Sequence, residues 1–475
     1  ERKASAFMGN EIRKGAELDL EVEKLALGGK ALARREGLVV FLSEGLPGQK
    51  VRARIVRKKK QFAEGRVLET LSRAPHEQEP FCRHFGTCGG CRWQDLAYEE
   101  QLKWKRLHVL ECLQHLAGIH EASVEPTLPS PAPVHYRNKM EYTFSPRRWL
   151  STEEVESKDT TYDRSFALGL HVRGFFDRVF NVEECFLQSP RSVEILRSAR
   201  RWTRNSGFPA YGTRDHQGFW RFFVVREGKH TGEVLIHFIT APHPRQDEAA
   251  RGLARHLMEA FPDIATIVHS VSGKKAQVAQ GEASRVLEGP GVIEERLGSL
   301  RFRISAHSFF QTNPYGAEKL YETVLRLGEF TGKEEVWDLY AGTGSIALFI
   351  ASKVRGVTGF EVVGDAVEDA YRNCELNGIR NCRFRAGDLK DVLGSAEGAP
   401  DVVVTDPPRA GMHPKVVKAL LERRPGKIIC VSCNPATLAR DLELLSEHYS
   451  IGKIRPFDLF PHTPHIECVV DLRKK

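Results

Sequence analysis

Residues 336–352 constrain this chain more than any other stretch. Val336-Trp-Asp-Leu-Tyr reads as a strand, Ala341-Gly-Thr-Gly as a turn, and 345–352 as a helix, with nothing left over between them. A strand that turns on two glycines directly into a helix belongs to an open α/β sheet. Its ligand is expected at the carboxyl ends of the strands. Gly356-Val-Thr-Gly-Phe-Glu, Val402-Val-Val-Thr-Asp and Ile428-Ile-Cys-Val-Ser read as further strands of the same sheet.

The turn itself suggests a nucleotide-like ligand. Gly342 and Gly344 allow close approach to backbone. Glu361 closes the next strand about 20 residues on, where an acid can hold ribose hydroxyls. The third glycine of a dinucleotide fingerprint is missing, because Leu348 and Phe349 occupy that region. This D-x-x-x-G-x-G form resembles the S-adenosylmethionine (SAM) turn of Rossmann-like methyltransferases.

Two later strand ends carry reactive groups. Asp406-Pro-Pro-Arg-Ala-Gly-Met follows one strand and Ser432-Cys433-Asn434-Pro435 the next. A thiol on the ligand edge beside a cofactor is placed for covalent catalysis. Cys430, within its strand, reads as a small buried hydrophobe. Pro461-His-Thr-Pro-His-Ile-Glu467 puts two histidines and a carboxylate on the approach to the last strand, Cys468-Val-Val-Asp-Leu. Alone, each of these is also compatible with an ordinary strand-end charge or a satisfied loop histidine.

The N-terminal region has a different pattern. Residues 12–73 alternate in short runs (ELDLEVEKL, LVVFL, KVRARIVRK, GRVLETL) separated by glycine turns, which predicts a small OB-like barrel. The formal charge of +8 over 475 residues is concentrated here: residues 1–73 hold 17 Lys/Arg and 10 Asp/Glu, a net of +7. Arg52, Arg54 and Arg57, followed by Lys58, Lys59 and Lys60, are expected on one outward face. That makes nucleic acid the first candidate partner and a solvated basic face the alternative.

Ten cysteines are too few for a disulfide scaffold. No apolar core near the N-terminus predicts a secretory signal, and no uncharged run reaches the length of a membrane span, so a reducing cytoplasm is expected. Clustered cysteines then read as metal ligands. Cys82-x5-Cys88-x2-Cys91 is such a cluster, and Cys185 and Cys112 are candidates for a fourth ligand. Spacing alone does not choose zinc over iron–sulfur. Cys112 lies among the leucines of a helix expected at 95–118. Prolines mark 122–134 as a linker, 136–300 is β-rich, and the polar stretch 148–165 reads as an exposed loop.

Together these residues resemble the RNA uracil-C5-methyltransferase family along essentially the whole chain. The resemblance implies a multidomain protein: an N-terminal OB-like TRAM barrel (1–74), a β-rich α+β central domain with the cysteine site (75–305), and a C-terminal α/β Rossmann-like methyltransferase domain (306–475). The helix at 95–118 is expected to pack on the catalytic domain. The resemblance implies a [4Fe–4S] cluster held by Cys82, Cys88, Cys91 and Cys185. It assigns Phe310-Gln311-Thr-Asn313 to an F-Q-x-N segment whose Gln contacts SAM. Tyr340, Gly342, Ser345, Glu361, Asp388 and Asp406 fall on the other SAM-binding positions. Cys433, in S-C-N-P-A-T-L, falls on the nucleophile, and Glu467, in H-I-E, on the general base.

The implied reaction is methyl transfer from SAM to C5 of an RNA uridine. 23S rRNA is favoured over tRNA, with no membrane and no obligate protein partner. Arg137 and Lys139, in Tyr136-Arg-Asn-Lys, are candidate RNA contacts, with a structural hydrogen-bonding role as the alternative. Phe85, Trp93 and Phe310 are candidates for base stacking, with packing the commoner role of an aromatic near a cysteine-rich loop. A radical-SAM methylthiotransferase would use C-x3-C-x2-C. An RNA cytosine-C5-methyltransferase would resemble D-A-P-C-S-G where this chain has D-P-P-R. Amino-methyltransferases would show N-P-P-Y or D-P-P-Y and need no cysteine. A non-catalytic RNA-binding assembly factor is the reading from a different class.

Overall fold

The computed structural model describes residues 12–157 and 162–475. Part of the 148–165 stretch, residues 158–161, and the first eleven residues therefore lie outside the described residues.

The N-terminal strands β1 (Glu17–Leu25), β2 (Ala31–Arg35), β3 (Leu38–Leu42), β4 (Lys50–Lys58) and β5 (Phe62–Ser72) close a barrel in the order β1-β2-β3-β5-β4. Alternation puts Leu18, Leu20, Val22, Val51, Ala53 and Ile55 inside. The outward arginines do not form the free basic stripe expected from the sequence. Arg52 Nε donates to Asp19 at 2.8 Å, Arg54 Nη2 donates to Glu17 at 2.6 Å, and Arg57 lies 3.8 Å from Glu64. Acids on β1 and β5 lie opposite β4 in the antiparallel ladders, and charge pairing across the strands follows.

Helix α1 (Tyr98–Leu116) joins the barrel to the rest. Its Val109, Cys112 and Leu113 share a core with the C-terminal sheet, while Lys24 and the Leu25 carbonyl of the barrel reach its Glu111 and His108.

The central region is an eight-stranded sheet ordered β13-β12-β11-β10-β6-β8-β9-β7. Its elements are β6 (Lys139–Ser145), β7 (Arg148–Trp149), α2 (Thr152–Glu156), β8 (Ala167–His171), β9 (Val179–Phe180), α3 (Pro190–Arg204), β10 (Trp220–Glu227), β11 (Val234–Thr240), α4 (Gln246–Ala260), β12 (Ile264–Val271) and β13 (Ala283–Glu288). Helices α3 and α4 bury Ile195, Leu196, Leu253 and Leu257 against it.

The hairpin β14 (Val292–Leu297) and β15 (Leu300–Ser305) follows. The sequence pattern groups it with the central domain. Its Ile293, Leu297, Phe302 and Ile304 pack instead into the core of the C-terminal unit, with Leu320 and Val336.

That unit comprises α5 (Pro314–Gly328), β16 (Glu335–Leu339), α6 (Ser345–Ala351), β17 (Gly356–Glu361), α7 (Gly364–Leu376), β18 (Cys382–Ala386), α8 (Leu389–Val392), β19 (Val402–Thr405), α9 (Pro414–Arg423), β20 (Lys427–Ser432), α10 (Pro435–Leu445), β21 (Tyr449–Phe457) and β22 (Glu467–Lys474). The sheet runs β18-β17-β16-β19-β20-β22-β21. Its first five strands are parallel, with β22 inserted antiparallel between β20 and β21. Strand order reverses between β16 and β19, and this switch point is where an open α/β sheet takes its ligand. Among the described residues no helix is long and apolar enough to cross a membrane.

Candidate active site

The carboxyl ends of β16, β17, β19 and β20 open into a cleft of about 1080 Å³. Tyr340, Gly342, Glu361, Asp406, Arg409, Cys433, Glu467 and Gln311 all line it.

The turn after β16 is built for a ligand. Tyr340 (φ 65°), Gly342 (φ 55°) and Gly344 (φ 79°) all adopt left-handed backbone. Tyrosine rarely does so, and such strain collects at functional sites. A side chain on Gly342 would meet nothing within 4 Å, so its bare face looks into open cleft. Glu361 ties the two βα turns together, accepting from Gly342 N and Val363 N at 2.9 Å each. Beyond it Val362 is 63% exposed at the lip, an apolar surface suited to a flat heterocycle, and nothing in the sequence pattern marked it. Beneath the turn, Asp338 accepts from Ala347 N, and its other oxygen is buried without a partner. Burial, with Asp406 nearby, pushes Asp338 up to about 8.

The segment before α5 forms the opposite wall. Asn138, at the entry to β6, donates Nδ2 to the Gln311 carbonyl and its backbone N–H takes the Thr312 carbonyl. Asn313 caps α5 by accepting from Gly316 N, and donates to Ser130 and the Leu459 carbonyl. Held this way, Gln311 places Nε2 3.4 Å from Asp406 Oδ2. Ser345 and Asp388 are not among the residues lining the cleft. Ser345 bonds the Tyr321 hydroxyl at 2.9 Å, and Asp388 caps α8 and binds Lys390 Nζ at 2.7 Å.

The reactive groups meet where β20 and β22 run antiparallel. Ser432 is in register with Cys468, so Cys433 and Glu467 lie side by side one step further on. Burial, then Glu467 and Asp406, push the Cys433 thiol up to about 11, while Arg409 pulls it down. Burial pushes Asp406 up to about 6. Burial, with Asp406 close by, drives Glu467 well above the carboxylate range, and Arg409 opposes this. Arg409 Nη2 lies 3.3 Å from His465 Nδ1, whose ring burial and the same Arg409 hold neutral, down to about 4.

The loop delivering Glu467 is clamped from behind by α1. Lys105 Nζ reaches Asp458 Oδ1 at 2.5 Å with both side chains fully buried, and Gln101 bonds both His462 N and the His462 ring. Breaking one partner of such a buried pair costs about 3–5 kcal/mol.

Cys82, Cys88, Cys91 and Cys185 line one small cavity together with His84 and Gln94. Cys112 lies elsewhere, in the core under α1. Burial pushes Cys88 and Cys91 up to about 12. Backbone N–H groups of Gly90 and Leu187 point at the Cys88 and Cys185 sulfurs, each at 3.4 Å. Among the described residues, no three His, Cys, Asp or Glu side chains are arranged to hold a metal ion.

The stacking candidates are corrected by the structure. Trp93 and Phe310 are buried, and Phe85 is half-buried beside Arg173. Phe309, beside Phe310, is 66% exposed at the cleft mouth. In an extended segment neighbouring side chains face opposite ways, so an inward Phe310 implies an outward Phe309. Arg137 lines the cleft, whereas Lys139 is paired with Glu141 at 2.7 Å.

This geometry has counterparts among known proteins. A family model described as tRNA (uracil-5-)-methyltransferase matches residues 233–475, and a TRAM domain model matches 12–68. The chain belongs to the tRNA (uracil-5-)-methyltransferase family. An RNA methyltransferase of Nitratidesulfovibrio vulgaris, itself uncharacterized, is 44% identical over 97% of both chains. One from Bacteroides thetaiotaomicron is 39% identical, covering 94% of this chain and 99% of its own. The crystal structure of Pyrococcus abyssi tRNA (uracil-54, C5)-methyltransferase with S-adenosyl-L-homocysteine superposes with a TM-score of 0.73 at 28% identity. That match covers 96% of this chain and 100% of the other. As a member of this uracil-5-methyltransferase family, the protein is a SAM-dependent RNA methyltransferase, and its barrel is a TRAM domain.

Proposed function

We propose that this enzyme methylates C5 of a uridine in 23S rRNA through a covalent Cys433–C6 adduct, with Glu467 as general base. The observation carrying the reading is the adjacency of Cys433 and Glu467 in the cleft that Gln311 and the glycine turn also line.

The cleft fits SAM: the open face of Gly342, Glu361 at the end of β17 and the exposed Val362 suit its backbone-facing, ribose and heterocycle parts. SAM supplies the electrophilic methyl group. C5 of uracil is a poor nucleophile. The Cys433 thiolate adds to C6, forming the S–C6 bond and pushing the C5=C6 electron pair into an enolate with carbanion character at C5. C5 then bonds the methyl carbon as that carbon's bond to sulfur breaks. C5 now carries both methyl and hydrogen. Glu467 takes that hydrogen as a proton, the pair restores C5=C6, and the S–C6 bond breaks to free Cys433. A carboxylate displaced upward is the stronger base once ionised, and Arg409 favours its ionised form. The uridine must be unpaired or flipped to reach Cys433.

The thiols of Cys82, Cys88, Cys91 and Cys185 would hold a [4Fe–4S] cluster. Four half-buried thiols around one small cavity, two of them with N–H donors to sulfur, have the donor chemistry of that group. Methyl transfer is redox-neutral, so its contribution would be to fix the loop.

The preference for 23S rRNA rests on the pairing of a TRAM barrel with this cysteine loop. The second reading, tRNA, is favoured by the whole-chain similarity to the Pyrococcus abyssi tRNA enzyme. Incubation with [methyl-³H]SAM and either unmodified 23S rRNA or bulk tRNA, followed by nucleoside analysis, separates them. Label in 5-methyluridine from rRNA alone supports the first reading, label from tRNA alone supports the second, and label from neither overturns both.

A further inference from the structure

A second groove, of about 960 Å³, runs from the cleft along the central domain. It shares Arg137, Phe309 and His465 with the cleft, so the two are continuous. Arg92, Arg137, Lys139, Arg173 and Arg226 line it. Lys139 is paired with Glu141 at 2.7 Å, Arg173 lies 3.6 Å from Glu44, and Arg226 is buried on the Ser308 carbonyl, so Arg92 and Arg137 are the cations that can meet phosphate. At its far side the turn between β8 and β9 raises two aromatic rings into solvent: Phe175 is 44% exposed and Phe176 67%.

These rings are mounted rather than loose. The Arg214 guanidinium lies over the Phe176 ring, 5.5 Å from its centroid. Arg214 is fixed by the buried Asp177, whose Oδ2 accepts from Arg214 Nε at 2.6 Å and from Arg147 Nη1 at 2.5 Å. Phe175 packs on Trp149 at 5.2 Å, with Arg178 over that indole at 5.9 Å. The turn is closed by Val172 N to the Arg178 carbonyl at 3.0 Å and bends at Gly174 (φ 81°). It is anchored on the cysteine loop: Gly89 N donates to the His171 carbonyl, and Arg173 Nη2 to the Cys91 carbonyl.

Exposed apolar rings cost free energy in water unless something covers them. A basic groove with aromatic rings open on one face is the pattern that holds unpaired nucleic acid, with phosphates on the cations and bases on the rings. The groove continues directly into the cleft that takes the target base. We propose that it carries the single-stranded RNA flanking the target uridine, and that Phe176, braced by Arg214, stacks on one of its unpaired bases. This rests on the reading of the cleft as a uridine-in-RNA site. It adds a binding residue remote from the chemistry. It also gives the cysteine loop a role, which is to hold this platform in register with the cleft.

The test uses the full-length protein and three variants, Phe176→Ala, Phe176→Tyr and Phe176→Leu. Dissociation constants for labelled 23S rRNA fragments and tRNA are measured by anisotropy, and KM and kcat with whichever RNA the wild type labels. Binding of S-adenosyl-L-homocysteine and Tm are measured in parallel. The proposal expects Phe176→Ala to raise Kd and KM for RNA about tenfold, the size of one stacked base. It expects kcat, S-adenosyl-L-homocysteine affinity and Tm to stay unchanged, with Phe176→Tyr retaining wild-type values and Phe176→Leu failing to. Unchanged RNA affinity in Phe176→Ala overturns it, as does equal rescue by Leu and Tyr, or a loss that tracks Tm. If the wild type binds RNA but labels none, the substrate reading fails, and the stacking role is decided on Kd alone.

Discussion

Cys433 and Glu467 stand one residue beyond the last in-register pair of β20 and β22, Ser432 and Cys468, and both face the cleft. Adjacent antiparallel strands thus bring together residues 34 positions apart in sequence. With Cys433 as the proposed nucleophile at C6, Cys433→Ala should abolish 5-methyluridine formation while leaving S-adenosyl-L-homocysteine affinity within about twofold. Calorimetry and radiolabel incorporation measure the two separately. Retained turnover in the alanine variant would remove the covalent step.

The thiol sets the pH dependence. Burial and two carboxylates hold Cys433 up at about 11, and the proposed nucleophile is its thiolate. A group that must lose a proton well above neutrality gives a rate rising with pH. We expect kcat/KM to climb by about tenfold per unit between pH 7 and 9. Arg409 pulls that thiol down, so Arg409→Ala should move the rising limb to higher pH and slow the enzyme at pH 8. A flat profile from pH 7 to 9 would contradict this.

The two glycines of the cofactor turn should respond differently. A Cβ on Gly344 would lie 2.9 Å from both Leu348 Cδ1 and Phe384 Cζ, on left-handed backbone. Gly344→Ala should incur both ~1–2 kcal/mol of left-handed strain and the cost of overlap with Leu348 and Phe384, seen as a lower Tm. Gly342→Ala meets only open cleft, so its Tm should fall by strain alone while S-adenosyl-L-homocysteine affinity falls more sharply. Equal losses of affinity and stability in both variants would show that the cleft does not take its ligand against Gly342.

The cysteine loop carries both the proposed RNA platform and contacts to the loop that delivers Glu467, since Arg92 N and Trp93 N donate to the His462 carbonyl. With the proposed cluster on those thiols, Cys88→Ser should lose visible cluster absorbance and lower Tm together, and should weaken RNA binding. A cluster-free variant with wild-type Tm and full activity would contradict the loop-fixing role proposed for the cluster.

Much of this was legible in the sequence because it is local. The strand–glycine–helix turn, the barrel's alternation and the strand-end Cys433 each follow from short-range pattern. What escaped was set by tertiary pairing. Arg52 and Arg54 read as free cations until β1 brings Asp19 and Glu17 across from them. Phe310 and Phe309 are indistinguishable in composition, and only the packing of Phe310 against Phe302 decides which ring reaches solvent. Ser345 and Asp388 took their roles from resemblance, and the structure engages them with Tyr321 and Lys390. The Phe175–Phe176 platform needs Asp177, Arg147 and Arg214, three residues spread over 147–214 that no local pattern connects.

Trapping the adduct decides whether Cys433 and Glu467 work as proposed. Glu467→Gln removes the base that takes the C5 proton, so elimination stalls after methyl transfer. Turnover should fall about 10²–10⁴-fold. The variant is incubated with SAM and the RNA that the wild type labels, denatured, treated with nuclease and protease, and the peptides are weighed. The covalent mechanism predicts a methylated uridine nucleotide attached to the peptide carrying Cys433. An RNA-free Cys433 peptide, or the nucleotide on any other residue, would contradict it.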